Sequence, residues 1–335
     1  MAKLDQVRTS NAAINSQRPE LVAVFVGATS GIGEGTAKEL ANTVKKPTIH
    51  LIGRNEATGS RILDELKAAN PEGSFHFIKS DVSLLKNVDK ACDEIKKKEE
   101  SIDLLFMSTG YMGFSKNDTT EGLENNHTLR FYSRMRFIHN LLPLLRASKG
   151  PARVISVLGG GQEGTISEDN LDLQKKWTFL NSLTYPSTMN SLAVEHLAAQ
   201  NPSVSFIHMS PGVVRTPLIS STFGNLAGSI IGFLSMPISM TAQESGQRNL
   251  YMATSAAYPA AKTEGQTSTG VPLVDGVGVS KGSTGSVGGG SYILNYDGSD
   301  ATNRKVMDGY REKQFPAKIW EHALAKFAKA LDPAQ

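Results

Sequence analysis

The chain has 335 residues and a mass of 36.0 kDa, enough for one large α/β domain with extensions. Its 35 basic and 32 acidic residues are interleaved and leave a net charge of only +3, which argues against nucleic acid or a charged membrane surface as partner. A single cysteine, Cys92, excludes an internal disulfide framework and fits a reducing compartment such as the cytoplasm, and the polar residues 1–20 contain no apolar run of signal-peptide length.

Residues 1–20 read as an N-terminal extension. The run from Leu21 to Val26 reads as a buried parallel strand, followed by Gly27-Ala28-Thr29-Ser30-Gly31-Ile32-Gly33 and a helix over Glu34 to Leu40. Gly27 permits the tight turn. Gly31 and Gly33, with Ile32 between them, leave no side chain between the helix N-terminus and a pyrophosphate, where free N–H groups favour an anion. Thr29 and Ser30 add hydroxyl donors. This Gly-rich segment, in strand–turn–helix context, resembles the T-G-x-x-x-G-I-G signature of the short-chain dehydrogenase/reductase superfamily. The resemblance covers roughly residues 20–300. It implies a doubly wound parallel sheet of Rossmann type in three α/β/α layers, with residues 21–300 as one dinucleotide-binding domain.

Farther along, Thr48 to Ile52 reads as the second strand, ending in Gly53-Arg54-Asn55. An acidic residue at this strand end binds a ribose 2′-hydroxyl and an arginine accommodates a 2′-phosphate, so Arg54 and Asn55 point to NADP(H). A helix continues to Ala69, and Ser74 to Lys79 gives the third strand. In the family an Asp-Val pair at this position contacts adenine, which assigns Asp81 and Val82 to the cofactor. Asp81 or Ser83 also stands where the following helix needs a cap. The fourth strand, Ile102 to Met107, ends in Ser108-Thr109-Gly110, where the resemblance places the Gly110 backbone against the dinucleotide. The segment from Glu121 to Leu145 resembles the family's long central helix.

Ala152 to Leu158 reads as the fifth strand, a helix is expected from Pro186 to Ala199, and Val204 to Met209 is the sixth strand. Its continuation resembles the family's P-G-x-x-x-T, which implies that Pro211, Gly212, Val213 and Thr216 hold the nicotinamide end. Residues 217–240 carry no charge and read as a lid over an apolar small-molecule substrate, being too interrupted by Ser, Gly, Asn and Pro for a membrane span. The stretch 262–290 is Gly- and Ser-rich and reads as an insertion near the substrate mouth, ahead of a short strand, Ser291 to Leu294. Residues 301–335 form a C-terminal helical extension, with Phe315, Ile319, Trp320, Leu324 and Phe327 as its packing stripe. The family often pairs its fourth and fifth helices between subunits, which leaves a homo-oligomer open without the sequence deciding it.

The catalytic pattern departs from the resemblance. Arg130 stands at the family's asparagine position, Gly159 at its serine, and Tyr185-Pro186-Ser187-Thr188-Met189 replaces Y-x-x-x-K with methionine in the lysine place. A phenol with no cation beside it has a pKa of about 10 and is a proton donor rather than a base, which favours reduction with Tyr185 as donor. Arg130 cannot act as a base but can stabilise negative charge developing on oxygen, which suits conjugate reduction. The sequence therefore points to an NADPH-dependent reductase of a ketone, enone or imine, similar to short-chain reductases of fungal specialised metabolism. The competing reading is a redox-neutral cyclase or isomerase, or an inactive binding module that keeps the dinucleotide site. No metal site is expected.

Overall fold

The strands β1 (Glu20–Val26), β2 (Lys46–Gly53), β3 (Ser74–Lys79), β4 (Leu104–Met107), β5 (Ala152–Val157), β6 (Val204–Met209) and β7 (Ser291–Leu294) form one sheet. Their order is β3-β2-β1-β4-β5-β6-β7, and every neighbouring pair is parallel. The computed structural model describes residues 2–215, 239–262 and 269–332. Thr216, the expected lid up to residue 238 and residues 263–268 of the Gly-rich stretch lie outside the described residues.

Alternation along each strand sends side chains to two separate cores, as a sheet buried on both faces requires. On β1, Ala23 and Phe25 join one core, while Val24 and Val26 join the other. The first core is covered by α1 (Leu4–Ala12), α2 (Gly31–Thr43), α3 (Glu56–Ala69) and, farther along the chain, the helix Ala242–Thr254. The second is covered by α4 (Leu85–Lys96), α5 (Ser133–Arg146) and α6 (Phe179–Gln200). This is the three-layer doubly wound arrangement. Numbering on, Ala242–Thr254 is α7, Arg304–Glu312 is α8 and Phe315–Ala330 is α9. α2 and α7 touch backbone to backbone, because Gly35 and Gly246 face each other with no room for a Cβ on either.

Several elements differ from expectation for identifiable reasons. α6 starts well ahead of Pro186, capped by the Thr178 side chain, which accepts the Asn181 N–H; Pro186 lies inside the helix instead of opening it. The central helix opens with a short α turn, Asn125–His127, capped by Glu124, and passes through a π turn, Thr128–Tyr132, before α5. Neither Asp81 nor Ser83 caps α4. Glu121 does, its carboxylate accepting the N–H groups of Leu85 (2.6 Å) and Lys86 (3.1 Å), while Asp81 Oδ1 accepts from the N–H and hydroxyl of Ser83. The segment ahead of β1 packs on the domain: Asn11 donates to the Gln247 carbonyl on α7, and Arg18 pairs with Asp103 at 2.6 Å. At the other end α9 buries Phe315, Ile319, Ala323 and Phe327, with Ala323 in the stripe and Leu324 36% exposed.

α9 lies across α5 and α6. Phe327 packs under the Arg136 guanidinium (5.2 Å), and Trp320 stands between His139 (6.1 Å) and His196 (6.3 Å). Among the described residues no helix is long and apolar enough to cross a membrane.

Candidate active site

β1 pairs with β2 on one side and β4 on the other, so the strand order reverses at its carboxyl end. Ligands of open α/β sheets bind at such a switch point, because loops leave in opposite directions and open a crevice. Here that crevice is a cleft of about 320 Å³, within the usual size of small-molecule sites. It is lined by Gly27, Thr29, Ser30, Gly31 and Ile32 from the turn after β1, by Gly53 and Arg54 after β2, by Ser80 and Val82 after β3, by Ser108 to Tyr111 after β4, and by Leu129.

Backbone geometry makes this a cradle. Gly27 has φ +87° and Gly31 φ +62°, the left-handed region that glycine enters at no steric cost. A Cβ on Gly33 would stand 2.7 Å from the Gly27 carbonyl oxygen and 2.7 Å from Ser108 Oγ, so α2 can approach this closely only without one. Ser108 Oγ donates to the Gly27 carbonyl (3.2 Å) and ties the turn to the end of β4. Ser30 is the N-cap of α2, yet its side chain makes no capping bond, which leaves the first turn's N–H groups to the cleft. An anionic pyrophosphate fits these donors and the absence of side chains above them.

The rim differs from residue to residue. Arg54 is exposed at the cleft and is its one charged lining side chain among the described residues. Asn55 does not line the cleft; its Oδ1 accepts the Thr58 N–H (2.9 Å) as the N-cap of α3. Val82 lines the cleft, whereas Asp81 lines a neighbouring depression that it shares with Arg54. Gly110, at φ +152°, brings bare backbone to the cleft wall. Beyond β6, Gly212 has φ +66° and a Cβ there would meet the Tyr296 ring at 2.9 Å. The Val213 carbonyl accepts the Met240 N–H (2.9 Å), while Pro211, Gly212 and Val213 stand outside the cleft lining. Among the described residues no group of three or more His, Cys, Asp or Glu side chains could hold a metal ion.

A family comparison matches residues 21–165 to the short chain dehydrogenase family. Oxidoreductase andH of Emericella variicolor is 48% identical over 100% of this chain and 99% of its own. The chain is a short-chain dehydrogenase/reductase. The NmrA-like family domain-containing oxidoreductase notO of an Aspergillus species is 37% identical over 98% of this chain and 96% of its own. The solved NADPH-bound carbonyl reductase from chicken fatty liver shares the fold, with a TM-score of 0.57 at 16% identity, covering 83% of this chain and 97% of that one. The chain is thus an oxidoreductase by family, with a nicotinamide dinucleotide as the family's cofactor.

What distinguishes this short-chain dehydrogenase/reductase is the wiring beside the cradle. Arg130 does not present its guanidinium to the cleft. Nη1 donates to the Ser182 carbonyl (2.9 Å) and Nη2 to the Tyr111 carbonyl (2.8 Å), and the residue is 6% exposed. The expected role for Arg130, steadying charge on a substrate oxygen, therefore competes with two backbone carbonyls, while its Nε is buried without a partner. Tyr185 is likewise turned away: its hydroxyl accepts the Ser167 N–H (3.1 Å), and its ring joins the core under α6. Met189, in the lysine place, is fully buried in that core. Gly159, in the serine place, has no room for a side chain because a Cβ would run into Ser187 Oγ.

The Gly159 N–H donates to His208 Nε2 (3.2 Å), which fixes the imidazole tautomer. His208 Nδ1–H then donates to Ser191 Oγ (2.7 Å), whose own proton goes to Glu163 Oε1 (2.6 Å). Burial pushes His208 down to about 3, so this network is neutral at the imidazole. A second buried guanidinium lies close by: Arg134 donates to Ser156 Oγ (2.7 Å), to the Val157 carbonyl (2.8 Å) and to the Thr109 carbonyl. Burial pulls it down to about 9, which still leaves it charged at neutral pH. Sequence reasoning missed Ile52, Gly53, Ser80, Ser108, Thr109, Tyr111 and Leu129 as lining residues; for Tyr111 the available signal was its place directly after Gly110.

Proposed function

We propose that this protein is an NADPH-dependent reductase that transfers hydride to an apolar small molecule, a ketone, enone or imine, in specialised metabolism. The observation that carries the reading is the charge of the cleft: its lining contains Arg54 and no carboxylate among the described residues. A ribose 2′-phosphate is attracted to such a rim, whereas the 2′-hydroxyl of NADH calls for an acidic acceptor. The bound NADPH of the chicken reductase and the full-length likeness to fungal oxidoreductases support the same direction. Fluorescence titration with NADPH and NADH tests the cofactor half, and consumption of NADPH in proportion to product tests the reaction half. Equal affinity for the two nucleotides would remove the argument from Arg54.

A redox-neutral role is the second reading, favoured by one specific observation: the Tyr185 hydroxyl accepts a backbone N–H and Arg130 gives both its Nη groups to backbone carbonyls. Deuterium from 4-deuterated NADPH appearing in the product excludes it. Turnover of substrate with no nucleotide oxidised establishes it.

A further inference from the structure

We propose that Tyr111 is the proton donor of this cleft, in the place that Tyr185 has vacated. The inference rests on the reductase reading above and names the acid that such a reaction needs. Tyr111 lines the cleft together with Gly27, Thr29 and Gly110, half-buried, and its ring lies against Gly113, where a Cβ would stand 2.9 Å from Cε2. Its backbone is clamped: Arg130 Nη2 holds the Tyr111 carbonyl while Nη1 holds α6 at Ser182. Arg130 thus acts as a positioning residue for Tyr111.

The other hydroxyls at the end of β4 have committed their protons. Ser108 Oγ donates to the Gly27 carbonyl and Thr109 Oγ1 to the Leu129 carbonyl (3.1 Å). Aliphatic alcohols are in any case far weaker acids than a phenol. Burial raises the Tyr111 pKa, and Glu124 raises it further against the pull of Arg130 and Arg54, so the phenol carries its proton at neutral pH. A donor that starts protonated serves reduction and not alcohol oxidation.

The step balances without a further reagent. The dinucleotide supplies a hydride, with its two electrons, to the electrophilic carbon. The carbonyl π pair moves onto oxygen, the Tyr111 Oη proton passes to that oxygen, and the phenolate recovers a proton from water. For an enone the hydride goes to the β-carbon and the same proton quenches the enolate oxygen.

Two measurements on the full chain test this. With NADPH and a set of probes, cyclohexanone, 2-cyclohexen-1-one and 9,10-phenanthrenequinone, Tyr111→Phe is expected to lower kcat by about 10²–10⁴-fold, more than Tyr185→Phe does, with NADPH affinity unchanged. In protein labelled with ζ-¹³C-tyrosine, the resonance that disappears in Tyr111→Phe is expected to move on adding NADPH, while the Tyr185 resonance stays in place. A larger loss in Tyr185→Phe, or a Tyr111 resonance that ignores the nucleotide, overturns the assignment and leaves the reductase reading standing. If NADPH does not bind, or binds and no probe is reduced by the native protein, the reductase reading fails and takes this inference with it.

Discussion

Pro186 lacks an N–H and stands four residues after Ser182 within α6, so the Ser182 carbonyl has no helical partner. Arg130 Nη1 takes that carbonyl at 2.9 Å, and Nη2 takes the partly buried Tyr111 carbonyl at 2.8 Å. Replacing Arg130 with Met bares both. A buried acceptor left without a partner costs about 1–3 kcal/mol; with the partly buried one costing less, and the guanidinium's own burial penalty returned, we expect a loss of about 2–4 kcal/mol. In a Pro186→Ala background the restored N–H reaches Ser182 along the helix, and the same replacement bares only Tyr111. Its cost is then expected to fall by about 1–3 kcal/mol. Urea unfolding of the four proteins, native, Arg130→Met, Pro186→Ala and the double variant, followed through Trp177 and Trp320 fluorescence, measures this coupling. Additivity within about 0.5 kcal/mol would mean that Arg130 does not serve the carbonyl freed by Pro186, and would return its guanidinium to the candidates for substrate chemistry.

Acid sensitivity follows from the histidines. All seven, His50, His76, His127, His139, His196, His208 and His322, are pushed below their ordinary 6.5 by burial, His127 and His208 to about 3. Above 6.5 both folded and unfolded chains hold them neutral; below it only the unfolded chain takes up the protons, so stability falls as pH drops. Each fully excluded histidine contributes a slope of about 1.4 kcal/mol per pH unit, and a urea midpoint that is flat from about pH 7 to pH 5 would contradict the burial of these rings. On the proposed NADPH reading, Arg54→Asp would remove a charge-assisted contact worth about 1.5–3 kcal/mol, so NADPH affinity is expected to fall roughly 10- to 100-fold relative to NADH; an unchanged ratio in the fluorescence titration defeats the assignment. Because α9 covers the faces of α5 and α6 with Trp320 and Phe327, light scattering is expected to give the mass of a single chain; a dimer that persists on dilution would place the subunit contact on another surface.

The backbone-built half of the molecule was legible in the sequence. A parallel strand buried on both faces has to be an apolar run, and the run from Leu21 to Val26 is one; positive φ at Gly27 and the closeness of Gly33 to Gly27 admit no other residue. Those constraints are local and leave their mark on the residues concerned. Helix starts were read less well where a distant group supplied the cap. Nothing near Leu85 shows that Glu121 caps α4; the start of α6 differs in having a local cap, Thr178, which was outweighed by the habit of placing proline in a first helical turn. Leu324 entered the C-terminal stripe on spacing alone, while Ala323, small and easily overlooked, is the residue that faces the core.

The catalytic half was legible only as a departure, because its partners meet through tertiary contacts. Pro186 and Arg130 each look like an isolated departure, yet the structure joins them. The π turn gives the Arg130 carbonyl to Asn190 Nδ2 (2.9 Å), and the same amide takes the Pro186 carbonyl (2.7 Å). Ser156 Oγ donates to Asn190 Oδ1 (2.9 Å) and receives Arg134, so one chain of hydrogen bonds runs from a buried guanidinium through β5 into α6. Met189, in the lysine place, is fully buried in the core beneath this network. Met189→Lys alone would place an unpaired charge in that core, a change that costs stability, while Tyr185 would still point at Ser167. On the assignment proposed above, the proton for a reduction arrives from the β4 side of the cleft, where Arg130 holds the Tyr111 carbonyl, and not from α6.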